Sequence, residues 1–81
     1  MMRYRATHES IRAVVLIGDR GAECWLPAGE YTTDGNIELV PPCRDGELRD
    51  GVRLLSAPGT GRTRGTAYLV HPGAMARLTP A

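Results

Sequence analysis

Ten glycines and six prolines interrupt a chain of 81 residues, and this punctuation constrains the fold more than any other feature. A chain broken so often has little length for long helices and favours short strands joined by turns. Its length suits one domain, because two separate cores would need more than about 100 residues. The core formers are few: eight Leu, five Val, three Ile, one Trp, three Tyr and no Phe. So small a core raises the expectation of self-association, since a second copy would bury further apolar surface.

Strands can be placed from residue type and turn signals. Residues 11–17 (IRAVVLI) are β-branched and aliphatic and read as a central strand. The turn-rich GDRG at 18–21 returns the chain into residues 22–26 (AECWL), which Pro27 ends. On that strand Cys24 faces away from Glu23 and Trp25. Asp34-Gly35 lies between residues 30–33 and 36–40, which predicts a second hairpin. Residues 43–51 (CRDGELRDG) read as a loop. Strands are expected at 52–56 (VRLLS) and 66–70 (TAYLV), with the long connection APGTGRTRG between them. His71-Pro72-Gly73 opens a short helix that stops before Pro80. The expected fold is mainly β: one small domain of five or six short antiparallel strands, as a sheet or small barrel, with one short helix near residues 72–78.

The formal net charge of +1 hides a segregated pattern, and all ten positive residues are Arg. Residues 1–12 carry Arg3, Arg5 and Arg12 against Glu9. Residues 13–43 carry Asp19, Glu23, Glu30, Asp34 and Glu38 against Arg20 alone. Residues 54–81 carry Arg62, Arg64 and Arg77 with no acid. An acidic middle between two basic ends creates fields that steer charged partners. Two candidate partner-binding sets follow: a basic one of Arg3, Arg5, Arg62 and Arg64, and an acidic one of Glu23, Glu30, Asp34 and Glu38.

Several chemistries lack the residues they need. The glycine-rich segment at 59–65 has neither dinucleotide nor P-loop spacing, and a strand rather than a helix follows it. His8, His71, Cys24 and Cys43 lack the close pairing of a structural zinc site, so no metal and no cofactor is expected. No orienting residue marks a Cys-His dyad, and no carboxylate pair is set for acid-base work. Cys24, beside Trp25 on a strand, reads as a small buried apolar side chain. Cys43 lies in the turn PPCRDG next to Arg44, where an exposed, acidified thiol would form an intermolecular disulfide. With no Phe, the core is expected to recruit most of the aromatics, which leaves no stacking platform for single-stranded nucleic acid.

No apolar run is long enough for a membrane span, and no apolar segment follows the charged start as a secretory signal requires, so the expected compartment is the cytoplasm. The reading these features favour is a non-enzymatic protein-binding module. Its most concrete form is a small inhibitor from a phage or other mobile element that blocks a nucleic-acid-processing complex, in the manner of anti-CRISPR proteins. The alternatives are a small β-barrel nucleic-acid binder using its arginine loop, and a toxin-like ribonuclease relying on His8 and His71.

Overall fold

The computed structural model describes residues 1–41, 49–57 and 65–81. These form eight strands: β1 (Met2–Ala6), β2 (Arg12–Ile17), β3 (Arg20–Trp25), β4 (Gly29–Thr33), β5 (Ile37–Leu39), β6 (Asp50–Ser56), β7 (Ala67–Val70) and β8 (Thr79–Pro80). A 3-10 helix spans Pro72–Arg77. Among the described residues the chain is mainly antiparallel β with one short helix, as the sequence indicates.

Two strands exceed the expected five or six. β1 announces itself only by period two, with Arg3 and Arg5 alternating with Met2, Tyr4 and Ala6, and it holds no Val, Ile or Thr. β8 is two residues long and exists because Tyr4 and Arg5 pair with Pro80 and Thr79. Nothing local marks it.

The sheet runs in the order β3-β2-β7-β6-β4-β1-β8, and β5 also pairs with β6. Every pairing is antiparallel. The first expected hairpin forms, with a tighter turn than GDRG suggests. Ile17 pairs with Arg20, which leaves Gly18 and Asp19 as the loop, and Gly18 takes a φ of 63° that favours glycine. The hairpin of β6 and β7 also forms, and Ser56 N–H extends it by donating to Thr66 O at 3.0 Å.

The second expected hairpin does not form. β4 and β5 run in the same direction along one edge of β6: Tyr31 and Thr32 pair with Ser56 and Leu55, while Ile37, Glu38 and Leu39 pair with Val52, Gly51 and Asp50. Residues 33–36 therefore stand opposite Arg53 and Leu54 alone, as a bulge interrupting one long strand. Gly35 supplies the left-handed residue at φ 78°, and its N–H donates to Thr33 Oγ1 at 3.0 Å. Asp-Gly makes a hairpin only when the flanking runs are free to pair with each other. Here β1 and β6 occupy both edges of β4. The loop expected at 43–51 also needs correction at its end, since Asp50 and Gly51 belong to β6. Residues 42–48 and 58–64, which include Cys43, Arg62 and Arg64, lie outside the described residues.

Seven strands about 4.8 Å apart would make a flat sheet some 29 Å wide and only one layer thick. The Cα extents are 31 × 25 × 22 Å, so the sheet curls strongly over itself. Among the described residues no pair joins β3 to β8, so it stays an open sheet rather than a closed barrel. Its inner face packs one cluster that includes Ala6, Ile11, Ala13, Leu26, Tyr31, Val52, Leu54, Tyr68, Val70 and Leu78. The rings of Tyr31 and Tyr68 meet edge to face, 5.8 Å apart at 87°. Trp25 departs from the expected recruitment of aromatics: it is 52% exposed, with the Arg12 guanidinium 4.9 Å from its ring.

The 3-10 helix starts as its sequence predicts. Pro72 sits in its first turn, and His71 caps it by accepting the Gly73 N–H on Nδ1 at 2.9 Å. Arg77 then fastens the helix to the 7–10 loop, donating to Ser10 O at 3.1 Å and to Ser10 Oγ at 3.0 Å.

Candidate functional site

The outer face of β1, β4 and β6 follows from register. Arg3 pairs with Thr32, Arg5 with Glu30, and Thr32 with Leu55, so these side chains share one side of the sheet, with Tyr4 and Tyr31 turned the other way. Arg53, two residues from Leu55, projects on the same side and reaches Glu38 of β5.

Beside Arg3, this face carries two pairs of opposite charge. Arg5 donates to Glu30 at 2.8 Å across β1 and β4. Arg53 grips Glu38 with two hydrogen bonds, Nε to Oε2 at 2.5 Å and NH2 to Oε1 at 2.7 Å, the forked geometry that a guanidinium offers a carboxylate. Each arginine bond holds its glutamate's pKa below the usual carboxylate value, and the Arg53 guanidinium is correspondingly raised by Glu38. Solvent screens such exposed pairs, so they add little to stability. Their consequence is on the field of this face, where opposite charges offset one another locally.

Beside the bulge, Met1, Thr32, Thr33, Asp34, Asn36, Glu38, Arg53 and Leu55 line a shallow depression of about 70 Å³. Small-molecule sites usually occupy roughly 300–1,000 Å³, so this hollow is too small to enclose a substrate. It suits a protruding side chain from another surface. Leu55 remains 39% exposed at its margin, and Ile37 and Leu39 on β5 are exposed at 62% and 83%.

The acidic residues singled out by the charge pattern are therefore divided. Asp34 and Glu38 share the depression, and Glu30 lies on the same face against Arg5. Glu23 is elsewhere, on β3, with Arg12 at 3.5 Å. β3 and β5 are not neighbours, because β2, β7 and β6 stand between them in the sheet. Of the basic set, Arg5 faces a member of the acidic set, Arg3 is exposed on β1, and Arg62 and Arg64 fall outside the described residues. The proposed disulfide at Cys43 falls outside them too.

Sequence reasoning missed Arg53, Thr32 and Leu55. Arg53 sits in a run whose local charge balance is neutral, and its partner is fifteen residues away. Only the pairing of β5 with β6 brings them together. Cys24 packs against the core as its sequence context implies but is half-buried rather than fully buried, and that burial pushes its thiol pKa up, away from nucleophilic use. Among the described residues no three of His, Cys, Asp and Glu gather as a metal site would need, and no helix is long and apolar enough to cross a membrane.

The chain matches no family model, no curated protein and no solved structure.

Proposed function

We propose that this chain is a non-enzymatic protein-binding module that docks its partner on the outer face of β1, β4, β5 and β6. The observation that carries this reading is the combination of two offset ion pairs, Arg5–Glu30 and Arg53–Glu38, with an exposed Leu55 beside a side-chain-sized hollow. Protein interfaces have this composition, with apolar contacts at the centre and charges at the rim. A nucleic-acid surface needs unbalanced positive charge, and on this face Arg5 and Arg53 are each met by a glutamate, while Arg3 is matched in number by Asp34. The finer form of the proposal is an inhibitor, encoded by a phage or mobile element, that occupies a docking site on a nucleic-acid-processing complex.

The test compares pull-downs from a bacterial lysate by the parent protein and by Leu55→Glu, with circular dichroism to establish that the variant folds. The expected outcome is a partner held by the parent and lost, by tenfold or more in affinity, from the folded variant, since burying an unpaired charge in an interface costs about 2–5 kcal/mol. Equal retention by both proteins overturns the proposed face. Tight binding of labelled DNA or RNA that falls steeply with salt would instead favour the nucleic-acid alternative.

A further inference from the structure

An open sheet leaves unpaired edges, and proteins ordinarily blunt them with short strands, prolines or bulges. Two edges here follow that habit: β8 is two residues long and ends in Pro80, and β5 is three residues long with Pro41 following closely. β3 does not. It runs six residues without proline and keeps an unbroken register with β2 from Arg12–Trp25 to Ile17–Arg20, while its far side pairs with no described strand.

The direction of its free hydrogen-bonding groups can be assigned. Leu26 N–H donates to Ile11 O at 2.7 Å, continuing the register of β2 and β3. Hydrogen-bonded pairs alternate along an antiparallel ladder, so Ala22 and Cys24 turn their backbone groups toward β2. Gly21, Glu23 and Trp25 turn theirs toward the open edge.

We propose that β3 pairs antiparallel with β3 of a second copy of this chain, about a two-fold axis at Ala22, and continues the sheet across a dimer. The register follows from symmetry and charge. A two-fold axis perpendicular to the sheet keeps each face on its own side, so the axis must pass at a residue rather than between two. Only axes at Ala22 and Glu23 overlap five of the six residues of each strand. An axis at Glu23 sets that carboxylate against its own copy, which is destabilising for directly opposed like charges. An axis at Ala22 sets Gly21 opposite Glu23 and Arg20 opposite Cys24, with no like charges directly opposed. Gly21 and Glu23 then exchange both their backbone hydrogen bonds with the partner strand, twice over by symmetry. Ala22, exposed in the single chain, meets its copy in a non-hydrogen-bonded pair with Cα atoms about 4.5 Å apart.

One strand pair buries less than the roughly 800 Å² per partner of a standard interface, so the dimer is weak and concentration-dependent. Sedimentation velocity across a concentration series reads it directly. The parent protein should shift from monomer toward dimer mass. Glu23→Pro removes a donor that points to the partner and none that points to β2, so it should remain monomeric with an unchanged far-UV dichroism spectrum. In a Cys43→Ser background, Ala22→Cys should oxidise to a dimer band on a non-reducing gel, whereas Ile37→Cys on the β5 edge should not. A parent protein that stays monomeric at every concentration overturns the proposal, as does a Glu23→Pro protein that dimerises like the parent or an Ala22→Cys protein that cross-links no faster than Ile37→Cys.

Discussion

Tyr31 shows how much one side chain carries in a core without phenylalanine. It is fully buried, its ring meets Tyr68 edge to face, and its hydroxyl donates to Pro27 O at 2.5 Å across the bend into β4. Replacing it with Phe keeps the ring and strips the carbonyl of its donor, at a cost of about 1–3 kcal/mol. The same phenol sets an alkaline limit. Burial pushes the Tyr31 pKa well above its ordinary value, and raises Tyr68 and Cys24 as well. A group whose pKa is higher folded than unfolded stabilises fully below its unfolded pKa and ceases to do so as pH rises toward the folded one. Urea midpoints should therefore hold steady until the unfolded-state pKa values, about 8.5 for Cys and 10 for Tyr, and fall above them. Tyr31→Phe should be less stable near neutral pH but lose less further stability between about pH 9 and 11. An alkaline slope as steep in the variant as in the parent would remove Tyr31 from that role.

Within β6, Gly51 is fixed by what lies beside it. A Cβ there would stand 2.8 Å from Leu69 Cβ and 3.4 Å from Val40 Cγ2. Leu69 and its cross-strand partner Val14 are both 1% exposed, yet neither belongs to the inner cluster, so this is a second buried spot on the other face of the sheet. Neither β-carbon can withdraw without moving its strand. Gly51→Ala should cost about 1–3 kcal/mol by overpacking, read as a lower urea midpoint with an unchanged slope. A neutral result would mean that β6 and β7 can separate locally. This crowding is invisible in the sequence, where Asp50-Gly51 reads as loop punctuation. The strands that sequence did reveal, 11–17 and 66–70, are runs whose burial shows in their own composition. β1 and β8 depend on partners far along the chain, and the Asp34-Gly35 bulge depends on β1 and β6 having taken both edges of β4. The same limit applies to the binding face. Its acids and Arg5 could be named from the sequence, but Arg53, and the pairing of each arginine with its glutamate, follow only from strand order.

Across the whole molecule, one inner cluster draws on strands from both ends of the sheet, and the chain ends are joined as well: Ala81 N–H donates to Arg3 O at 3.0 Å, beside the β1–β8 pair. Unfolding should accordingly be a single cooperative transition. Proteins of this size are stable by about 0.05–0.15 kcal/mol per residue, or some 4–12 kcal/mol in all. Leu26, completely buried between Ile11 and the rest of that cluster, is then a severe place to remove volume: Leu26→Ala should cost about 2–5 kcal/mol, a large share of the total. Folding speed follows from the same connectivity. Only the β2–β3, β5–β6 and β6–β7 pairs join consecutive strands, whereas β1 with β4, β2 with β7 and β1 with β8 close long loops before any contact rewards them. Refolding from urea should take milliseconds to seconds, in the range of β folds dominated by non-local pairing. Far-UV dichroism is the right probe, because the single tryptophan is half-exposed when folded and its emission should change little. Two separated unfolding transitions in Leu26→Ala would show that the sheet is energetically divisible, and microsecond refolding would show that its long-range pairs are not what limits the rate.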